Sequence, residues 1–269
     1  MGNGVQVAGT FVGAARGGIA QRMDGGLRSL DLLGRSALVK KLVDVGIRGV
    51  RIEPIPSSLG ELHRAVLVSN YPAVYQTLRS LIKVGCRFPG QGHRLRGIGR
   101  PEVVTNASTL IKALGVDRLI FQAHKDEAGA YRLHKKVIQE VLAHLDGEGH
   151  ILWLSITGAT RGNGLLEGDL RTGAALFSTT KSVPIVPMGL VTRQVGGKPR
   201  VIKVRFGEPI HPPRMEELSD FERSDFLIDL SRLALCRVAQ LLPPGQRGDF
   251  EQVEEKLEEL EIRMGMRQG

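Results

Sequence analysis

Apolar positions along this chain come as short dense runs separated by longer stretches with helical spacing. Residues 64–69 (RAVLVS), 118–122 (RLIFQ), 150–156 (HILWLSI) and 183–191 (VPIVPMGLV) are short apolar runs of the kind that form strands buried on both faces. Residues 200–206 (RVIKVRF) alternate instead, which predicts a strand with one wetter face, and 45–53 (VGIRGVRIE) predicts an edge strand. Between them lie helical patterns. One runs from Tyr71 to about Lys83, with Pro72 tolerated in its first turn. The clearest spans 130–146, where Val137, Ile138, Val141, Leu142 and Leu145 share a face and Gly147 stops the helix. His134 and His144 fall on its polar side and are expected to be solvated. Two more helices are predicted over 168–180 and 216–242. Strands alternating with helices imply an α/β fold, a largely parallel central sheet flanked by helices.

The ends of the chain read differently. Residues 1–26 are rich in Gly and Ala without firm periodicity and are expected to form a mobile arm. Residues 27–44 carry Leu30, Leu33, Leu38 and Leu42 with Lys40 and Lys41 at helical spacing. Such a basic amphipathic helix packs its stripe on the domain or lies on an anionic membrane. The main domain is expected over 27–242, and Pro243-Pro244-Gly245 reads as a hinge. A tail helix over 249–264 places Phe250, Val253, Leu257, Leu260 and Met264 on a heptad seam, which docks on its own domain or pairs with another chain. No internal repeat is apparent.

Composition narrows the function classes. The chain has 269 residues, 42% of them hydrophobic and 24% charged, so a folded globular domain is expected rather than wholesale disorder. A formal charge of +9 suits phosphorylated substrates, anionic lipid or nucleic acid. An aromatic content of 4% supplies few base-stacking platforms, and no helix-turn-helix, zinc or RNA-binding signature is present, so nucleic acid ranks last among these partners. Cys86 and Cys236 have no metal-site spacing and read as two buried thiols in a reducing compartment. No apolar run approaches the roughly 20 residues of a membrane span. A basic start with a solid apolar core is missing, so no signal peptide is expected, and Gln6 breaks the myristoylation pattern that begins at Gly2. A cytoplasmic protein, or one peripheral to the membrane, is expected.

Candidate chemistry concentrates where strands end, since ligands of open α/β sheets sit at the carboxyl ends of strands. Three such ends stand out: Ser69-Asn70-Tyr71-Pro72, Ala123-His124-Lys125, and Thr157 through Asn163. The third is a Gly-rich loop carrying Thr160 and Arg161, and a guanidinium there can anchor a phosphate or carboxylate, or make a structural salt bridge. Thr160 is more simply a brace for the loop. His124 sits on the predicted rim as a functional group or a plain loop residue, and Lys125 is a second candidate anion contact. Of the remaining histidines, His211 has Glu216 five residues on, but in a Pro-Pro turn far in sequence from the anion loop. No metal site is predicted.

This layout resembles the glycerolipid acyltransferase family of the lysophosphatidic-acid type, over roughly residues 45–210. The family's first block is Asn-His-x4-Asp, in which the His is the general base and the Asp orients it. Here Asn70 matches, Tyr71 stands at the His position and Gln76 at the Asp position. The second block ends in Arg after a Phe-containing strand; here Phe121-Gln122-Ala123 leads to His124, with Lys125 beside it. The third, Glu-Gly-Thr-Arg, keeps Thr160 and Arg161 and loses the Glu. Val183-Pro184-Ile185-Val186-Pro187 keeps the fourth, and Phe206-Gly207-Glu208-Pro209-Ile210 resembles the closing segment.

The resemblance implies a glycerol-phosphate acyltransferase-like fold and acyl transfer from an acyl thioester, carried on coenzyme A or acyl carrier protein, to a lysophospholipid or other phosphorylated acceptor. No cofactor is implied. Asn70, Lys125, Thr160 and Arg161 would bind substrate, while Tyr71, His124 or the acceptor itself would handle the proton, with Gln76 hydrogen-bonding at the position of the orienting Asp. A tyrosine starts near pKa 10 and a glutamine cannot support an imidazolium, so the same residues also fit a non-catalytic descendant that binds lipid, acyl thioester or a protein partner.

Overall fold

The five residues Ala65–Ser69 (AVLVS) are buried without exception, and they form β2 at the middle of a seven-stranded sheet. The computed structural model describes residues 49–56, 59, 62–85, 94–101, 120–127, 131–157, 165–166, 170–213 and 220–264. The arm over 1–26, the helix over 27–44 and Cys86 lie outside these residues. In chain order the described elements begin with β1 (Arg51–Ile52), β2, α1 (Val74–Gly85), β3 (Arg94–Gly99) and β4 (Ile120–Gln122). A small hairpin of β5 (His124–Lys125) and β6 (Tyr131–Arg132) leads to α2 (Lys135–Asp146), β7 (His150–Ser155) and α3 (Gly173–Lys181). The chain closes with β8 (Ile185–Val195), β9 (Lys198–Phe206), α4 (Asp220–Gln240), two single 3₁₀ turns and α5 (Val253–Arg263).

Spatial order in the sheet is β1-β9-β8-β2-β7-β3-β4. Every neighbouring pair is parallel except β8 with β9, which form an antiparallel hairpin. The hairpin turns on Gly196 and Gly197, whose φ values of 58° and 72° are those a two-residue turn demands at both positions. The α/β class with a mostly parallel sheet is therefore as expected, and the edge position of β1 as well. Pairing carries the last two strands further than their apolar patterns do, to Val195 and back to Lys198. Pro187 lies within β8 rather than at its end. It stands opposite Val68 of β2, and its carbonyl accepts the Gly207 N–H just past the end of β9.

Helices cover both faces. On one side Val66, Val68, Leu152 and Leu154 point into a core closed by α2, α3, α4 and α5. On the other, Leu67, Ile151, Trp153 and Met188 meet Leu81 and Val84 of α1. Because β2 and β7 are buried on both faces, their sequences read as unbroken apolar runs. The tail helix docks on its own chain: Phe250, Val253, Leu257 and Leu260 are buried in the first core, and Arg263 reaches Asp229 of α4 at 3.0 Å. Cys236 is buried there too, and burial pushes its thiol up to about 11.

Two sequence readings are corrected. His144 is buried, not solvated: one ring nitrogen lies 3.2 Å from the Ile151 carbonyl and the ring stacks on His150. The last turn of α2 is covered by the start of β7, which helical periodicity within α2 could not reveal. The predicted helix over 130–146 also begins late, at Lys135, because Tyr131 and Arg132 pair with Lys125 and His124. Among the described residues no helix is long and apolar enough to cross a membrane.

Candidate functional site

The chain leaves β2 at Asn70, crosses the sheet edge through Tyr71 and Pro72, and enters α1, whose first backbone bond runs from the Thr77 N–H to the Ala73 carbonyl. This brings the N-terminus of α1 over the carboxyl ends of β2, β7, β3 and β4. A cavity of about 70 Å³ lies between them, open on one side. That measure holds several water-sized or methylene-sized groups. Leu78 and Leu81 of α1, Ile98, Ile120 and Trp153 make its apolar walls, and Val74 stands half-exposed beside them.

The back wall is tightly built. The Trp153 indole N–H donates to the Ser69 hydroxyl at 3.0 Å, and that hydroxyl donates to the Asn70 carbonyl at 2.9 Å. Gly97 makes room for the indole, since a Cβ there would lie 2.8 Å from the Trp153 ring. The Tyr71 ring packs at a tilt against Trp153, centroids 6.4 Å apart. Burial pushes the Tyr71 phenol up to about 12, against a smaller downward pull from Arg100. Arg100 also lines the cavity and lies over the Tyr131 ring at 4.5 Å.

The predicted site residues divide. Tyr71 lines the cavity. Asn70 is buried behind it and clamps the sheet: its amide donates to the Leu190 carbonyl at 3.1 Å and accepts the Leu190 N–H at 2.7 Å. Gln76 lies in the first turn of α1 but not in the cavity wall, and its Oε1 is buried with no hydrogen-bond partner. His124 lies in the β5–β6 hairpin, outside the cavity wall. Its ring stacks on His134 at 3.5 Å, with a buried, unpartnered Nδ1. Lys125 is exposed on the same hairpin. Thr160 and Arg161 lie outside the described residues. The two flanks of their loop, Thr157 and Leu170, pair as an isolated antiparallel bridge beyond the end of β7.

Sequence reasoning missed three residues. Thr77 lines the cavity, is 1% exposed, and has an Oγ1 without a hydrogen-bond partner. Its only signal was a hydroxyl on the apolar face of α1. Arg100 gave no signal beyond following a strand that was itself missed. Arg96, two residues into β3, lies over the Phe121 ring at 3.6 Å with an unpartnered Nε, and burial lowers its pKa.

Chemically the cavity is apolar, and among the described residues its wall carries two titratable groups, Tyr71 and Arg100, and no His, Asp or Glu. A phenol held neutral to about pH 12 cannot serve as a base near neutrality. Its folded pKa lies above the ordinary value of 10.0, so the protonated form favours folding, and this contribution is lost only as pH rises from about 10 through 12. In an alkaline absorbance titration, one of the three tyrosines should ionise last, near pH 12, and Tyr71→Phe should delete that step. Three steps near pH 10 in the folded protein would show that the phenol is not desolvated.

No protein-family model matches the chain, and no curated protein matches it in sequence. Among solved structures, the 1-acyl-sn-glycerophosphate (LPA) acyltransferase PlsC from Thermotoga maritima aligns with a TM-score of 0.44 and 13% identity, over 77% of this chain and 85% of that one.

Proposed function

We propose that this chain is an acyltransferase-like protein whose cleft holds a lysophospholipid-like or acyl-thioester ligand, with proton transfer crippled. The observation that carries the reading is the apolar cavity at the carboxyl edge of the sheet, walled by Leu78, Leu81, Ile98 and Trp153, with no group among its described lining residues able to act as a base near neutral pH. Its position is the one where open α/β sheets bind ligands. The acyl chain enters the apolar part. Arg100 and, from the loop beyond β7, Arg161 take the phosphate, with Thr160 bracing that loop and Lys125 at the outer rim. Thr77 offers its unpartnered hydroxyl to an ester or hydroxyl oxygen. Asn70 contributes by holding the back wall in place.

The motif pattern supports the same division of labour. The blocks that resemble the family's frame and phosphate contacts are kept at Thr160, Arg161 and Val183 through Pro187, while Tyr71 and Gln76 occupy the positions of the acid–base pair. Full acyl transfer is the competing reading, with His124 as the replacement base. The stacked position of His124 on His134, away from the cavity wall, favours binding over transfer.

The test is equilibrium binding of monomeric oleoyl-lysophosphatidate and of oleoyl-CoA to the full chain. Val74→Asp places a charge beside the apolar cavity while suiting the first turn of a helix, so the fold should survive. It should weaken both ligands at least tenfold, on the order of the cost of burying acyl methylenes against a charge. Arg161→Ala should weaken lysophosphatidate by roughly tenfold, the worth of one charge-assisted phosphate contact. If the folded Val74→Asp protein binds both as tightly as before, the cavity is not the lipid site.

A further inference from the structure

We propose that the tip of the β8–β9 hairpin is a docking surface for an anionic lipid bilayer. β8 stops pairing with β2 at Met188 opposite Ser69, and then runs on to Val195. At about 3.3 Å per residue, that overhang projects roughly 20 Å past the edge of the sheet on which the cavity opens.

The overhang carries an unusual charge arrangement. Arg193 stands directly opposite Arg200, and Val195 directly opposite Lys198, so all four side chains share one face of the hairpin. All four are exposed, Val195 to 40%. Like charges directly opposite in an antiparallel pair oppose folding. Among the described residues none of Arg193, Lys198 and Arg200 has an ion-pair partner. Lower on β9 the pattern reverses: Glu53 takes Lys203 at 2.8 Å and Arg205 at 3.3 Å. Lys203 and Arg205 share an acidic partner where the hairpin belongs to the sheet, and the basic residues of the projecting part have none among the described residues.

The overhang is also held rather than loose. Gln246 grips the backbone of Thr192 from both sides of its amide, accepting the N–H at 2.9 Å and donating to the carbonyl at 2.6 Å. At the tip, Gly196 and Gly197 have no side chains to hold a surface away. Cations around one exposed aliphatic residue suit the headgroup layer, where charge meets phosphate and Val195 can enter the interface. No aromatic residue lies between Gly189 and Arg205, the part of the hairpin that projects, so none is there to stack a base, which disfavours single-stranded nucleic acid. The purpose of such a contact, presenting the cleft to membrane lipid, rests on the function proposed above; the contact itself does not.

The experiment is co-sedimentation of the full chain with vesicles of phosphatidylcholine alone or mixed with phosphatidylglycerol, with no lysophospholipid present. The protein should prefer the anionic vesicles and release as salt is added. Arg193→Gln, Lys198→Gln and Arg200→Gln together should weaken that binding roughly a hundredfold, each cation near an anionic surface being worth most of a factor of ten. Arg200→Glu alone separates docking from stability: it turns the like-charge pair into an ion pair, so the melting temperature should rise while vesicle binding falls. A triple variant that sediments like the unsubstituted protein overturns the proposal, as does no preference for anionic vesicles, or displacement of the protein from them by single-stranded RNA. A failed docking surface leaves the cleft reading standing, because the cleft is probed with monomeric ligand.

Discussion

Tyr71→His with Gln76→Asp should raise acyl transfer from oleoyl-CoA to lysophosphatidate by about 10²–10⁴-fold over the unsubstituted protein, the range general-base catalysis supplies. Position 71 lies in the cavity wall, so an imidazole there would face the bound acceptor. Imidazole starts near pKa 6.5, while the buried phenol is pushed up to about 12 and stays protonated. Position 76 is in the first turn of α1, where the helix N-terminus favours a carboxylate. Single substitutions should gain little, because base and orienting acid act as a unit. Gln76→Asp alone should lower the melting temperature, since it buries a charge without its partner. Labelled-substrate turnover with melting curves for all four proteins makes the check. A folded double variant that binds lysophosphatidate but transfers nothing would show that position 71 does not face the reacting hydroxyl. Rapid transfer by the unsubstituted protein, unchanged in Tyr71→Phe, would place the chemistry elsewhere, with His124 first in line.

Asn70→Ala should cost about 2–6 kcal/mol of stability, read from urea denaturation at constant m-value. The Asn70 amide satisfies both backbone groups of Leu190 just past the point where β2 ends, so it extends the β2–β8 ladder by one side chain. Its removal leaves a buried N–H and a buried carbonyl without partners, each worth roughly 1–3 kcal/mol. Asn70→Asp keeps the acceptor and loses the donor, and should be destabilised as well because it buries a charge. A melting curve unchanged in Asn70→Ala, together with lost lysophosphatidate affinity, would mean that the amide serves ligand rather than sheet.

How much was legible before the structure depended on whether the information was local. β2, β7 and the first half of β8 announce themselves because strands buried on both faces must be apolar at every position. The seam of α5 was equally plain, but a seam does not name its partner, and only packing against α4 did so. β3 was missed because Arg94 and Arg96 break its apolar pattern; Arg96 is accommodated by lying over Phe121, a residue supplied by the neighbouring strand. His144 was misread for the same reason: the groups that bury it come from β7.

The site divides along the same line. From sequence alone came the α/β class, the apolar runs that become the central strands, and the identities of the residues that follow them, Asn70, Tyr71 and His124 among them. These follow from periodicity and residue chemistry, which each segment carries within itself. Only the tertiary structure decided that Tyr71, Thr77, Arg100 and Trp153 share one cavity, that His124 lies outside its wall, and that Asn70 is engaged by Leu190. It also decided that Tyr71 is buried, which pushes its phenol up to about 12. Convergence and desolvation are set by neighbours far away in the chain, and no local pattern encodes which residues those neighbours will be.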